Sequence, residues 1–322
     1  SNGGGVSISS GGKVTITHST LSGNWAFDYG GGLDLSTLAQ ATVNFSTISN
    51  NTANTFNGGG IQASTDAHLT LVNSTLFGND AGDNGGGINL EGDAGATINN
   101  STLSNNAATS GGGFFAAGSN PKVELTNTII ANSQSGGDCS ASGGRFGTKS
   151  NNLIEDDSCS PDYDGDPQLG PLQDNCGETL SMRPSNGSPA IDQGDNSSCE
   201  AADQRGLERP QDGDGDGVFT CDIGAVEVVA TTFTVNQTAD TDDGTCTQAD
   251  CTLREAINAS NTINGANTIR FSLPASSVIT LGSQLPVITD TVTVDGSTAV
   301  SVTVSGNDAY RVFEIGNGTA VT

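Results

Sequence analysis

The chain has 322 residues and a formal net charge of −26, from 36 acidic and 10 basic side chains. Such a surplus repels nucleic-acid backbones and anionic membranes, which excludes both as partners, and no apolar stretch is long enough to span a membrane. Charged residues make up 14% of the chain and 45 residues are glycine, so few large side chains remain and the core is expected to be narrow.

Residues 1–135 contain an internal repeat with two landmarks. Five segments of the STLSGN type end in asparagine at intervals of 27, 28, 27 and 26 residues: Asn24, Asn51, Asn79, Asn106 and Asn132. A triple glycine recurs in phase with them and ends at Gly5, Gly32, Gly60, Gly87 and Gly113. Short alternating apolar runs separated by Gly and Asn turns at this period predict an all-β, right-handed parallel β-helix with three strands per coil.

The repeated asparagines admit two interpretations. Asparagine tolerates left-handed backbone angles, so each could be an ordinary turn residue. Because the five positions recur in register, we favour a ladder in which each side-chain amide bonds the same amide in the next coil. His18 occupies a coil position that is Phe45, Asn73 and Asn100 elsewhere, which favours a stacked side chain over a catalytic one.

Residues 136–228 lose the repeat and are rich in Gly, Asp, Ser and Pro, which predicts a loop-rich region that closes the solenoid. Cys139 and Cys159 bracket one stretch and Cys199 and Cys221 another, so we predict two disulfides. Cys176 then has no partner, which leaves three alternatives: an intermolecular disulfide, a buried free thiol, or an error in the predicted pairing. No CxxC spacing suggests zinc, and disulfides indicate a secreted, extracellular or cell-surface protein.

An acidic run in this region resembles the start of a calcium loop. Asp212, Asp214 and Asp216 alternate with glycine, the backbone carbonyl of Val218 takes the seventh position, and Asp222 substitutes for the missing glutamate near position twelve. Calcium is the cofactor that this set predicts. The alternative is a solvated acidic turn, and a weaker calcium candidate is the run Asp162, Asp164 and Asp166.

Residues 229–322 restart the β pattern and are predicted to open a further β-helix. Thr232 begins a strand, Cys246 and Cys251 frame a tight acidic loop as a third disulfide, and the segment from Thr252 forms a short helix with a capping box to Glu255. Five further strands are predicted, at 268–273, 278–281, 287–294, 300–304 and 312–315.

The string from Cys251 to Asn258, CTLREAIN, resembles the CSLREA motif that opens many large bacterial secreted β-helix proteins, with Thr252 in place of the motif's serine. The segments GSPAID ending at Asp192, DQRG ending at Gly206 and CDIGA ending at Ala225 resemble the closing, choice-of-anchor region of such proteins. The resemblance implies a parallel β-helix at the cell surface. It says little about activity.

The opening motif follows the closing region, so the chain is predicted to hold the end of one β-helix and the start of the next. Either it is a segment of a longer tandem protein, or the last strands of one copy continue into the first coil of another. The second arrangement gives a head-to-tail filament with the chain itself as partner.

These patterns favour a structural or adhesive extracellular protein, such as a surface or biofilm-matrix filament, over an enzyme. Polysaccharide lyases share the fold but use a Lys or Arg base, and Lys13, Lys122 and Lys149 lie in no catalytic string. No catalytic residue is assigned. The alternatives are a carbohydrate-binding adhesin, with a glycan or cell-surface partner, and a polysaccharide lyase-like enzyme.

Overall fold

The computed structural model describes residues 3–118, 122–142, 145–185, 187–263, 267–289, 292–299, 301–316 and 321. Two compact units divide the chain. Unit 1 contains residues 1–211 and 219–227, and unit 2 contains residues 212–218 and 228–322. Every strand pairing between named strands in both units is parallel between successive coils, which confirms the predicted all-β solenoid. No helix in the described ranges is long and apolar enough to cross a membrane.

Unit 1 is built from three six-stranded parallel sheets and one narrow one. Sheet 1 contains β1 (Val6–Ile8), β5 (Leu33–Leu35), β9 (Ile61–Ala63), β13 (Ile88–Leu90), β16 (Phe114–Ala116) and β19 (Cys139–Ala141). Sheet 2 contains β2 (Lys13–Thr17), β6 (Gln40–Asn44), β10 (His68–Val72), β14 (Gly95–Asn99), β17 (Val123–Thr126) and β20 (Phe146–Ser150). Sheet 3 contains β3 (Thr20–Ser22), β7 (Thr47–Ser49), β11 (Thr75–Phe77), β15 (Thr102–Ser104), β18 (Ile129–Ala131) and β21 (Leu153–Ile154). Sheet 4 contains β4 (Trp25–Ala26), β8 (Thr52–Ala53) and β12 (Asp80–Ala81).

The core of unit 1 is a set of apolar columns that run along the solenoid. In sheet 2, Val43 lies below Leu71, which lies below Ile98 and then Leu125, and all four are fully buried. The alternation of the strands turns these residues inward and their polar neighbours outward. Because the same residue position recurs in each coil, one repeat length fixes both the register and the core.

The triple glycine has two distinct roles, which Gly58 and Gly59 illustrate. Gly58 has a φ of +72°, a left-handed angle that places most side chains under strain. At Gly59, a Cβ atom would lie 2.5 Å from the backbone of Asp80 in the next coil. The sequence motif therefore combines a corner of the coil with a close approach between successive backbones.

The coils continue beyond the predicted end at residue 135. Strands β19, β20 and β21 pair with β16, β17 and β18 and extend the solenoid to Ile154. This last coil was missed because it lacks the triple glycine, and it carries a register irregularity beside Val123.

The closing region does more than cover the end of the solenoid. After residue 163 it runs back beside sheet 3 towards the first coils, so that Thr179 donates a hydrogen bond to the carbonyl of Phe45 at 3.0 Å. Farther along, Asn73 Nδ2 donates to the carbonyl of Ala202 at 2.8 Å. The predicted closing region is thus also a lateral cover, here called the strap (residues 164–211 and 219–227).

Unit 2 begins a separate parallel solenoid with its own core. It contains β22 (Thr232–Val235), α1 (Leu253–Thr262), β23 (Asn267–Phe271), β24 (Ser277–Thr280), β25 (Val292–Asp295), a short 3-10 helix (Gly296–Thr298) and β26 (Val302–Ser305). Helix α1 packs Leu253, Ala256 and Ile257 against Phe233 and Ile269. The capping box of Thr252 and Glu255 is present, as predicted.

Two strands predicted in this unit are shorter or absent as named elements. Within its described residues, the run at 287–294 forms a strand from Val292, and the run at 312–315 contributes an isolated parallel bridge between Ile315 and Ile288.

Candidate functional site

Four of the five predicted ladder asparagines form one hydrogen-bonded column. The Nδ2 atom of Asn24 donates to Oδ1 of Asn51 at 2.8 Å, Asn51 donates likewise to Asn79 at 2.9 Å, and Asn79 to Asn106 at 3.0 Å. Backbone N–H groups of the same residues donate to the same oxygens. Asn51, Asn79 and Asn106 are fully buried. These buried amide groups therefore form hydrogen bonds to one another inside unit 1 and not to water.

Asn132 does not belong to this column, and its prediction was wrong. Strand pairing places Thr102 opposite Ile129, so Asn132 aligns with Asn105 rather than with Asn106. Its backbone N–H donates instead to Glu155 Oε2. The interval of 26 residues, one shorter than the repeat, was the sequence signal of this slip.

A second ladder was missed at the serine that begins each STL segment. The backbone N–H of Ser19 donates to Ser46 Oγ at 3.2 Å, and Ser46 donates in the same way to Ser74 Oγ at 3.2 Å. Each hydroxyl donates in turn to the carbonyl two residues earlier, as Ser46 does to Asn44 at 2.7 Å. The recurrence of serine at this position, in phase with asparagine, could have predicted it.

The three predicted disulfides are confirmed. Cys139 bonds Cys159, Cys199 bonds Cys221 and Cys246 bonds Cys251. Cys176 is a free cysteine, and it is exposed, so the buried-thiol interpretation was wrong. The bridges lie in the last coil, the strap and the loop before α1.

The predicted calcium residues fall into two groups. Asp212, Asp214, Asp216 and Val218 lie in one exposed loop of unit 2, where Asp212 accepts the N–H groups of Gly215 and Gly217 at 2.7 and 3.0 Å. Asp214 accepts from Asp216, and Asp216 from Val218. These bonds turn the carboxylates around one short loop. Calcium binding there stays a prediction.

Asp222 is placed elsewhere and has a different role. It belongs to unit 1 and is fully buried, and its Oδ1 accepts the N–H of Asp192 at 2.8 Å. Its own N–H donates to Glu227 Oε2 at 3.0 Å. Asp222 therefore holds the strap together instead of completing the acidic loop.

The strap is attached to sheet 3 by the DQRG segment. Gln204 is 1% exposed, accepts from Thr75 Oγ1 at 2.6 Å and donates to Thr179 Oγ1 at 2.9 Å. The neighbouring Asp203 is fully buried and accepts the N–H of Glu227 at 3.0 Å. The bond between Thr75 and Gln204 links residues 129 positions apart, and no periodic pattern marks it.

A buried ion pair joins the two segments of the strap. Arg209 Nη1 lies 2.9 Å from Glu227 Oε2, and neither side chain is exposed. Arg209 also donates to the carbonyls of Asp222 and Gly224. Burial raises the pKa of Glu227, while the positive charge of Arg209 opposes that rise. Sequence analysis missed this pair because both residues lie in loops.

The first coil of unit 1 pairs with one neighbouring coil within the described part of the chain, and its other side is here called the open edge of unit 1. Strands β1, β2 and β3 each pair on one side only among the described strands. Four apolar side chains of this coil are partly exposed, whereas the residues aligned with them in the next coil are buried: Val6, Ile8, Val14 and Leu21. Beside them, Trp25 and Phe27 are 55% and 51% exposed.

Strand β26 of unit 2 likewise has one partner among the described strands, and its other side is here called the open edge of unit 2. In the described ranges, β26 pairs only with β24, and its sequence VTVS carries neither charge nor proline, the usual protection of an edge strand. Val302, Val304 and Phe313 are partly buried against the core, and Ile315 is 50% exposed. This edge lies after its coils, whereas that of unit 1 lies before them.

Two of the three lysines that were considered as catalytic bases, Lys122 and Lys149, make described polar contacts. A cavity of about 380 Å³ on sheet 2 contains Lys122, whose Nζ lies 3.1 Å from Asp66 Oδ1 and donates to the carbonyl of Asp93 at 2.8 Å. Lys149 Nζ donates to the carbonyl of Cys159 at 2.6 Å. The predicted stack of His18 on Phe45 is present, with ring centroids 4.9 Å apart.

No family model matches the chain, and neither the curated proteins nor the solved structures contain a match. The CSLREA and choice-of-anchor resemblance is therefore carried by its motifs alone. Its implied architecture, a parallel β-solenoid, is present in both units.

Proposed function

We propose that this chain is an extracellular structural subunit that polymerises head to tail into a filament. The open edge after the coils of unit 2 stacks on the open edge before the coils of unit 1 in the next copy. Both edges are parallel strands, so such a contact is heterologous, and it generates a fibre where successive copies do not close into a ring. The observation that carries the proposal is that, among the described strands, β1, β2 and β3 of unit 1 and β26 of unit 2 each pair on one side only.

Physical chemistry supplies the driving force for this contact. Completing the burial of an edge residue such as Leu21 or Val304 contributes roughly 1 kcal/mol each. Each newly paired strand also gains backbone hydrogen bonds that the edge lacks. Three disulfides support an oxidising, extracellular setting, in which a fibre of narrow solenoids has structural or adhesive use.

Electron microscopy of the purified chain tests the filament directly. We expect thin, unbranched fibres at micromolar concentration. Leu21→Lys places a charge on the edge of unit 1 and Val304→Lys one on the edge of unit 2, so each variant is expected to remain monomeric. Thr15→Lys, on the exposed outer surface of the first coil, is the matched control and is expected to form fibres.

Mixing the two blocked variants tests the polarity of the contact. Each retains one functional edge, and these edges are complementary, so an equimolar mixture should give a dimer by analytical ultracentrifugation and no longer species. A wild-type chain that stays monomeric, or a Leu21→Lys variant that polymerises, would contradict the proposal.

The acidic loop is proposed as a calcium site of the same subunit. Hydrogen bonds hold the carboxylates of Asp212, Asp214 and Asp216 in one loop. Calcium prefers several oxygen ligands of this kind. We expect calcium titration by calorimetry to detect one site that Asp214→Asn abolishes. Asp164→Asn, in the other acidic run, is the control and should leave the site intact. Equal heats from both variants would refute this assignment.

A further inference from the structure

We propose that unit 1 carries a lateral binding groove for a neutral oligosaccharide, which would make the filament adhesive along its length. The groove has a volume of about 530 Å³ and lies between sheet 3 and the strap. Asn50, Phe77, Asn105 and Asn132 line one wall, and the strap supplies Leu169, Gly170, Pro171, Leu172 and Met182. This function is additional to polymerisation, because the groove does not include the first coil.

The groove carries no charge, in contrast to the rest of the chain. None of its nine lining residues is ionisable, although the chain has 36 acidic side chains and a net charge of −26. A charged ligand would gain no ion pair there and would lose part of its hydration. The lining therefore fits an uncharged ligand.

Two asparagines offer hydrogen bonds to such a ligand. Asn50 and Asn105 occupy the left-handed corner after sheet 3, at φ values of +54° and +56°, where the first and third coils have Gly23 and Gly78. Their side chains make no hydrogen bond within the described part of the chain, unlike the buried ladder asparagines beside them. A carboxamide both donates and accepts, which matches sugar hydroxyl groups.

Phe77 supplies an aromatic surface at a position that is otherwise small. Strand pairing aligns it with Ser49 and Ser104, and the first and fifth coils have Ser22 and Ala131 there. Its ring is partly exposed in the groove, and Leu172 and Met182 lie in the opposite wall. Apolar walls with a few placed polar groups are typical of small-ligand sites, and they fit the CH faces of a pyranose ring.

The geometry favours a glycan over an extended peptide. Asn50 and Asn132 lie three coil steps apart, so the groove is about 14 Å long at the usual strand spacing. Peptides commonly bind by adding a strand to an unpaired edge. The strands along this groove, β7, β11, β15 and β18, are all paired on both sides, so they offer no such edge.

Binding of uncharged tetrasaccharides by the full chain tests the proposal. The probes are cellotetraose, maltotetraose and chitotetraose, with tetragalacturonate as the charged comparator, measured by calorimetry. We expect at least one neutral probe to bind, and the charged probe to bind more weakly than that probe. Phe77→Ser should lower the affinity about tenfold through lost contact with the ring, and Asn105→Gly about threefold through a lost hydrogen bond.

Both substitutions introduce residues that other coils already have at the same position, so the fold is expected to tolerate them. Thr15→Ser on the outer surface of sheet 2 is the control and should bind as the wild type does. Absence of binding by all three neutral probes, tighter binding of tetragalacturonate, or unchanged affinity in Phe77→Ser would overturn the proposal. Electron microscopy of Phe77→Ser should still show fibres, which distinguishes a loss of glycan binding from a failure of polymerisation.

Discussion

Replacing Asn79 by alanine is expected to lower the free energy of unfolding of unit 1 by about 3 kcal/mol. Oδ1 of Asn79 accepts both the backbone N–H and the Nδ2 of Asn51, at 3.1 and 2.9 Å, inside a fully buried column. Alanine leaves the backbone N–H of Asn51 and one of its two Nδ2 hydrogens without an acceptor, although Nδ2 keeps its bond to the carbonyl of Leu21. Each buried, unsatisfied polar group costs about 1–3 kcal/mol, so the loss exceeds that of a single surface hydrogen bond.

Denaturation followed by tryptophan fluorescence measures this loss. The single tryptophan, Trp25, lies in unit 1, so its signal reports that unit. Asn54→Ala is the matched control, because Asn54 lies in the same set of coils and is exposed. We expect it to change stability by less than about 0.5 kcal/mol. Equal losses in the free energy of unfolding of the two variants would show that Asn79 contributes no more than an ordinary turn residue.

The ladder also explains why the coils of unit 1 could be predicted from the sequence. Asparagine and the triple glycine satisfy requirements that recur once per coil, so they appear at the coil period. Where the period slipped by one residue, at Asn132, the prediction failed. The last coil lacks both landmarks and was placed in the closing region, although its strands complete all three sheets.

The strap could be predicted only in part. Its disulfide between Cys199 and Cys221 was predicted correctly because the two cysteines bracket one loop-rich stretch. Its path along sheet 3 depends on single side chains such as Gln204, which bonds residues in two different coils. One residue that recognises a distant surface leaves no repeat in the sequence. For the same reason Asp222 was assigned to the nearby acidic run, although it bonds Asp192.

The second large effect is expected at the buried pair of Arg209 and Glu227. Arg209→Leu removes the cation and leaves the carboxylate of Glu227 without a counter-charge at a site where neither side chain is exposed. Breaking a buried pair from one side typically costs about 3–5 kcal/mol. We therefore expect the strap to detach, and trypsin to cleave faster than in the wild type after Arg205, the basic residue of the strap that no proline follows.

This loss should depend on pH in a defined direction. Burial without Arg209 raises the pKa of Glu227 in the folded state above its value in the unfolded chain. Both states are protonated below the unfolded pKa, so the penalty is absent there, and it grows as the pH rises towards the folded pKa. Arg209→Leu should consequently be least destabilising in acid and most destabilising near neutral pH.

The double variant Arg209→Leu with Glu227→Leu separates the cost of an unpaired charge from a loss of packing. Leucine at both positions removes both charges of this pair, so stability at neutral pH should return to within about 1–2 kcal/mol of the wild type. Lys122→Leu breaks the exposed pair with Asp66, whose side chains are 40% and 52% exposed, and should cost less than about 1 kcal/mol. If the double variant were as unstable as Arg209→Leu alone, the hydrogen bonds of Arg209 and Glu227 to the strap backbone, and not their mutual charge, would hold the strap on sheet 3.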